Sequence, residues 1–228
     1  MTHRHAIIFT GGDAPHERAH RTVSTITGKS TDTIIIAADS GWEHAIAAGR
    51  TPDILVGDMD SISEEHLAQA RASHADIIVH DADKDETDTE IALDTAVERG
   101  ATHITVIAGG GDRPDHVFAM LHSLTADRYS SATVDGHLGA SRFHVCHAHH
   151  PVDIHTQPGD AVSLLPVGGD ATVSADNLKW PLVHETLRVR ASRGVSNVAT
   201  GRVDIAVHDG TLIAFITPPH DNTTGDTQ

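Results

Sequence analysis

Short apolar runs rich in β-branched residues recur through the first half of the chain, at 6–9, 33–38, 53–56, 76–79 and 103–108. Runs of this kind predict strands of a sheet covered on both faces, because a strand with one wet face alternates instead. Between them, 16–27, 41–48, 63–73, 87–99 and 114–127 read as helices. Alternating strands and helices imply right-handed crossovers and an α/β class, with an open, mostly parallel sheet and flanking helices. Ligands of such sheets bind beyond the carboxyl ends of the strands.

From about residue 132 the rhythm changes. Short strands are predicted at 132–135, 142–147, 160–165, 171–174 and 187–191, followed by a hairpin of 202–207 and 212–217 turned by Asp209-Gly210. The chain therefore divides into an α/β domain, 1–135, and a smaller all-β domain, 142–219, with Gly136 and Gly139 loosening the join. The polar stretch 220–228, after Pro218-Pro219, is expected to be a disordered tail.

Acidic residues of the first domain gather just past the predicted strand ends. In Leu55-Val56-Gly57-Asp58-Met59-Asp60-Ser61 an apolar strand runs into two carboxylates at i, i+2 and a hydroxyl. Core packing asks for nothing of the kind. Two hard oxygen ligands there suit a magnesium ion that keeps several waters and binds substrate phosphates. Ala37-Ala38-Asp39-Ser40-Gly41 repeats the theme. Gly41 permits close approach by a ligand, while Asp39 and Ser40 are equally placed to cap the next helix. In Asp83-Lys84-Asp85-Glu86-Thr87-Asp88-Thr89-Glu90, Thr87 and Glu90 form a capping box. Asp88 then falls in the first helical turn, where the dipole keeps it ionised. Facing Asp58 and Asp60 it would complete a metal site, with Lys84 meeting a phosphate. After the fifth strand, Gly109-Gly110-Gly111-Asp112-Arg113-Pro114-Asp115-His116 offers backbone N–H groups and an arginine fork to phosphates. Pro114 suits the first helical position. Asp115 and His116 are placed to orient one another or a ribose.

Composition narrows the partners. A net charge of -16 repels nucleic acid and anionic membranes, so neither is expected, and an anionic small substrate would need a metal to shield it. Aromatics at 3% leave no stacking platform for single strands. A single cysteine, Cys146, excludes an internal disulfide framework or a cysteine zinc cluster. The apolar run 6–9 is too short for a cleavable signal, which points to a cytoplasmic protein. The 20 histidines read as composition bias. In that background His16-Glu17-Arg18-Ala19-His20 is a chance H-E-x-x-H string. Gly28-Lys29-Ser30 lacks the earlier glycine of a P-loop, Val23 standing there. Asp81-Ala82-Asp83-Lys84-Asp85 lacks the glycine and glutamate of a calcium loop, which Glu86 and Ala92 replace.

In the β domain Asn177-Leu178-Lys179-Trp180-Pro181-Leu182 and Gly194-Val195-Ser196-Asn197 stand out. Residue physics alone favours Trp180 as a core side chain; the other reading is a face that stacks on a cationic heteroaromatic ring.

In this order the segments resemble the thiamine pyrophosphokinase family. The likeness rests on Ala38-Asp39-Ser40-Gly41, Gly57-Asp58-Met59-Asp60-Ser61, Lys84-Asp85-Glu86-Thr87-Asp88-Thr89-Glu90, Arg113-Pro114-Asp115-His116, Leu178-Lys179-Trp180-Pro181-Leu182 and Val195-Ser196-Asn197. It covers nearly the whole chain. The resemblance implies an α/β nucleotide domain, a β-sandwich domain and a homodimer with thiamine bound between subunits. It also implies Mg²⁺ and transfer of a diphosphate from ATP to the thiamine hydroxyl, releasing AMP. By residue, it implies magnesium held by Asp39, Asp58, Asp60 and Asp88. ATP would be contacted by Asp39, Ser40, Gly41, Ser61, Lys84, Thr87, Arg113, Asp115 and His116. Asp85 or Asp88 would take the hydroxyl proton, and Trp180, Ser196 and Asn197 would line the thiamine pocket. The chain departs from the family pattern at Asp112, Ser40 and Asn177, where glycine is usual, and at Met120, where asparagine is frequent. Three rivals stand beside this expectation: a non-catalytic nucleotide or thiamine sensor, a pyrophosphokinase for a related hydroxyethyl heterocycle, and a histidine-rich metal binder.

Overall fold

The computed structural model describes residues 4–27, 32–111, 113–150, 152 and 154–219. The Gly28-Lys29-Ser30 string, Asp112 and the segment 220–228 lie outside the described residues. The chain separates into two units, Met1–Ala140 and Ser141–Gln228.

In the first unit the apolar runs form β1 (Arg4–Phe9), β2 (Thr33–Ala38), β3 (Ile54–Gly57), β4 (Asp76–Val79), β5 (Ala101–Ala108) and β6 (Thr133–Leu138). Their spatial order is β6-β5-β1-β2-β3-β4, with every pair parallel. The crossovers are α1 (Glu17–Thr27), α2 (Gly41–Ala47), α3 (Glu64–Ala72), α4 (Asp88–Glu98) and α5 (Pro114–Ser123). On one face Ile7, Phe9, Ile35 and Ile107 bury against Ala19 and Val23 of α1 and Ala45 of α2. Ala37 and Leu55 continue that face against Trp42 of α2 and Ala70 of α3. Alternation along the strands turns Ile8 and Ile36, both fully buried, to the opposite side. There α4 packs on β1, β2, β3 and β5, with Leu93 and Ala96 fully buried. Full burial of one such large aliphatic side chain contributes about 1.5–3 kcal/mol. That is why continuous apolar runs were needed here. The chain winds outward from β1 in both directions, so the switch point between β1 and β5 leaves a crevice at the strand ends.

The second unit holds β7 (Ser141–His147), β8 (Ala161–Pro166), β9 (Ala171–Leu178), β10 (Leu182–Leu187), β11 (Asn197–Asp209) and β12 (Thr211–Thr217). All its pairings are antiparallel. Taken over the whole chain the pairing is therefore mixed, and the expectation of a mostly parallel sheet holds for the first unit alone. Two ladders share β11: its first residues pair with β8, and the rest pair with β9 after a register shift. Val162 and Leu164 of β8 and Val173 and Ala175 of β9 bury in one common core.

Two local expectations are corrected. Asp209-Gly210 does not close a hairpin, because β12 pairs with β7 and β8 while β11 pairs with β8 and β9. Gly210, at φ 76°, instead passes the chain from one ladder to the other. A Cβ there would stand 2.4 Å from the Asp170 carbonyl oxygen. The strand expected at 187–191 lies earlier, at Leu182–Leu187, where Leu182 and Leu187 point inward and Val183 is 81% exposed.

At the other end of the first sheet, His5 stacks on His103, with ring centroids 4.1 Å apart. Nε2 of His5 lies 2.8 Å from Thr105 Oγ1, and Nε2 of His103 lies 2.9 Å from an Asp135 oxygen. Burial first and the His103 charge second pull His5 down to about 4, against the opposing charge of Asp135. The folded protein thus resists protonation at His5 more than the unfolded chain does, where the value is 6.5. Its share of stability is complete above pH 6.5 and is lost as pH falls toward 4. His5→Asn should flatten the fall of the urea midpoint across that window; an unchanged slope contradicts the assignment.

Candidate functional site

Five strand ends converge on one rim of the first unit and line an open cavity of about 900 Å³. Thr10 to Asp13 follow β1, Asp39 and Ser40 follow β2, and Asp58, Asp60 and Ser61 follow β3. Lys84 to Thr89 follow β4, and Gly110, Gly111, Arg113 and His116 follow β5.

Asp39, Asp58 and Asp60 each bring a carboxylate oxygen within 4.8 Å of the other two. Asp39 is 3% exposed and sits in the left-handed region at φ 48°. Its N–H donates to the Val56 carbonyl at 2.9 Å, which ties the end of β2 to β3. Ser61 donates to Asp39 Oδ2 twice, from Oγ at 2.5 Å and from its backbone N–H at 3.2 Å. Asp39 Oδ1 is buried without a hydrogen-bond partner. Neither residue serves as a side-chain cap: Ser40 makes no capping bond to α2, and Asp39 is committed to Ser61. Burial pushes the Asp39 carboxyl up, Ser61 pulls it back, and the charges of Asp88 and Asp58 push it up again.

The loop after β3 turns through Met59 at φ 66°. This lets the Asp60 N–H donate to Asp58 Oδ1 at 3.1 Å. That bond, and then the Lys84 charge, hold Asp58 below the usual carboxylate range despite some burial. Gly57 makes the convergence possible. It lies at φ 142°, and a Cβ on it would stand 3.2 Å from both Asp39 Cβ and Asp88 Oδ1.

Asp88 lies against Gly57 close to Asp39 and carries the Lys84 ammonium as well. Lys84 Nζ lies 2.9 Å from Asp88 Oδ1 and 3.7 Å from Asp58 Oδ2, with its side chain only 12% exposed. Burial pulls the ammonium down, but the hydrogen bond and charge of Asp88, then Asp58 and Asp39, carry it above its ordinary value. The capping box is half formed. Thr87 Oγ1 accepts from the Glu90 N–H at 3.3 Å, so α4 starts at Asp88, while the Glu90 carboxylate is drawn away to Arg128. Asp85 is exposed on the cavity wall.

Arg113 grips Asp115 with two bonds, Nε at 3.1 Å and a terminal nitrogen at 2.7 Å, and holds that exposed carboxyl down to about 2. Asp115 pairs with Arg113 and also accepts from the His116 backbone N–H, and of the two His116 lines the cavity. A Cβ at Gly41 would stand 2.1 Å from the Phe9 carbonyl oxygen, so the missing side chain serves the packing of α2 on β1. The H-E-x-x-H string is absorbed locally: His16 Nδ1 accepts from the Arg18 N–H at 3.2 Å, and Glu17 pairs with Arg21.

Sequence reasoning missed Thr10-Gly11-Gly12-Asp13 and Val117, which lie on the cavity wall beside Met120. The signal for the first was present, a Gly-Gly turn directly after a buried strand. Val117 carries no signal beyond being apolar.

In the second unit Trp180 is 52% exposed, which overturns the core expectation. Lys179 Nζ lies 4.7 Å from its ring centroid. The buried Asn197 side chain clamps the Trp180 backbone, accepting from its N–H at 3.1 Å and donating to its carbonyl at 2.7 Å. Ser196, exposed at φ 58°, donates its N–H to Ser163 Oγ at 3.0 Å. Trp180, Leu182, Arg193, Gly194, Val195 and Asn197 enclose a hollow of about 70 Å³.

Comparison with known proteins adds the following. Residues 28–134 match the family model for the thiamin pyrophosphokinase catalytic domain, and residues 149–212 match that for the thiamin pyrophosphokinase vitamin B1 binding domain. Thiamine pyrophosphokinase of Bacillus subtilis is 31% identical over 103 residues, which are 45% of this chain and 48% of that protein, about half of its length. The solved structure of the Bacillus subtilis thiamine pyrophosphokinase superposes with a TM-score of 0.78 at 21% identity, over 94% of this chain and 99% of the other. The thiamin pyrophosphokinase of Candida albicans gives 0.77 at 15% identity, over 95% and 90% of the two chains. The yeast thiamin pyrophosphokinase gives 0.72 at 14%, over 95% and 86%. At these identities the structural likeness speaks for the fold.

Gly41→Ala tests the packing assigned to that glycine. Overpacking of a tight site costs about 1–3 kcal/mol. The thermal midpoint should fall accordingly; an unchanged midpoint would contradict it.

Proposed function

The chain belongs to the thiamin pyrophosphokinase family, and from that we propose that it transfers a diphosphate group from ATP to the hydroxyl of thiamine, giving thiamine diphosphate and AMP. The observation that carries this for the chain's own residues is the three-carboxylate cluster around the buried, unpartnered Asp39 Oδ1. A buried carboxylate oxygen with no donor costs several kcal/mol unless a cation meets it.

The donor set fits Mg²⁺, a hard ion that takes carboxylate oxygens and keeps room for phosphates and water. Asp39, Asp58 and Asp60 would hold it, with Asp88 beside them. When bound, it neutralises phosphate charge and so eases attack at the β-phosphorus. The chain's own groups do the rest by positioning. Ser61 fixes the Asp39 rotamer. Arg113, held along its Nε edge by Asp115 at the N-terminus of α5, would bring its positive charge to phosphate oxygens, and Lys84 adds a fixed positive charge. His116 faces the nucleotide, while Asp115 orients Arg113. Ser40 lines the wall beside Asp39, Gly41 lets α2 pack on β1 behind it, and Thr87 caps α4. Asp88 is occupied by Lys84, so the exposed Asp85 is the better acceptor for the thiamine hydroxyl proton.

Residues 1–135 are assigned as the catalytic domain and 142–219 as a β-sandwich domain that binds thiamine and dimerises. Trp180 would stack on the cationic thiazolium ring. Asn197 holds the Trp180 backbone, and Ser196 lies beside it in sequence. Exposed Val183 (81%) and Val195 (47%) near Trp180 support a homodimer with the thiamine site at its interface. A cytoplasmic location belongs to the same proposal; no described helix is long and apolar enough to cross a membrane.

Incubation with ATP, Mg²⁺ and thiamine should yield AMP and thiamine diphosphate in equal amounts. ATP binding without AMP release would show a sensor instead. Asp60→Asn should lower kcat by at least the roughly 10–100-fold that outer-shell changes cost at metal sites, with the fold intact by circular dichroism. Near-normal turnover excludes Asp60 as a ligand. Trp180→Ala should raise the KM for thiamine about tenfold, the worth of a lost cation–π contact of roughly 1–2 kcal/mol. A collapse of the thermal midpoint without a KM effect would return Trp180 to a structural role.

A further inference from the structure

We propose, resting on the Mg²⁺ reading of the rim given above, that Lys84 stands in the place of a second divalent cation, so that the acidic cluster accepts one metal ion and not two. Two observations carry this independently. Asp39 Oδ1 is buried and unpartnered, and Asp39 belongs to the group whose carboxylate oxygens lie within 4.8 Å of those of Asp58 and Asp60, which marks one cation position. The Lys84 ammonium lies 3.7 Å from Asp58 Oδ2 and 2.9 Å from the Oδ1 of Asp88, a carboxylate outside that group of three.

Paired divalent ions in phosphoryl-transfer sites sit roughly 3.5–4 Å apart and share a bridging carboxylate. Here the carboxylate available for sharing is Asp58, and the outer ligand is Asp88. Lys84 already sits on both. Its side chain is 12% exposed, against 60% for Arg113, so it is packed in place and is not a mobile arm. The chain supplies a permanent single charge where a second ion would bring two. Lys84 thereby sets the metal count of the site, and the substrate phosphates meet one exchangeable ion and one fixed ammonium.

The test is Mn²⁺ titration of the full chain without nucleotide, reading free Mn²⁺ by electron paramagnetic resonance. Wild type should bind one ion, and Asp60→Asn should lose it. Lys84→Met, of similar length and uncharged, should bind two. Lys84→Arg, which keeps the charge, should stay at one, and Lys84→Gln repeats the neutral case should the methionine variant fail to fold. Two ions in wild type, or one in both neutral variants, overturns the role of Lys84 while leaving the metal reading in place. No ion in wild type, or one that survives Asp60→Asn, sinks the metal reading and this inference with it.

Discussion

The constraint on which the rest depends is the crowding of Asp39 against Asp58 and Asp60 at the ends of adjacent parallel strands. Burial alone favours the neutral form of Asp39, and the neighbouring carboxylates push the same way. Ser61 satisfies one oxygen and leaves the other buried without a hydrogen-bond partner. Such an arrangement stores electrostatic repulsion in the folded chain unless a cation relieves it. Structure and chemistry meet at that point: the fold forces the oxygens together, and their charge selects the ligand.

The sheet explains how the chain can hold this position. Parallel strands deliver all their carboxyl ends to one rim, so residues distant in sequence become neighbours without any special loop. Side-chain-free positions do the close work. Gly57 lets the Asp39 and Asp88 side chains lie against the β3 backbone, and Gly41 lets α2 close on the Phe9 carbonyl. The second unit follows a different principle. Its antiparallel ladders pass through the shared strand β11, and its most exposed aromatic, Trp180, is held by the backbone clamp of Asn197.

Much of this was legible in the residues, for identifiable reasons. The runs in β1, β2, β3 and β5 are mostly apolar because both faces are covered. Asp58 and Asp60 announced themselves because carboxylates after a buried strand have no packing role. What escaped was decided by tertiary contacts. Nothing in the sequence at Gly41 announces the approach of the Phe9 carbonyl. Glu90 spelled a capping box but found Arg128, 38 residues away. Asp115 spends its side chain on the Arg113 fork, which its place next to His116 in sequence did not announce. Trp180 reads as core by its size, yet the clamp from Asn197 leaves it half in solvent. The strand joined to β12 through Gly210 pairs elsewhere because β9 offers β11 a longer ladder.

If repulsion among Asp39, Asp58 and Asp60 is the reason the site binds a cation, the most direct measurement is the thermal midpoint as a function of Mg²⁺ without nucleotide. In wild type the midpoint should climb with Mg²⁺, since a ligand that binds only the folded state stabilises it. In Asp39→Asn, where Ser61 can still be accepted but one charge is gone, it should start higher and respond little. A wild-type midpoint indifferent to Mg²⁺, together with an Asp39→Asn variant less stable than its parent, would contradict the account.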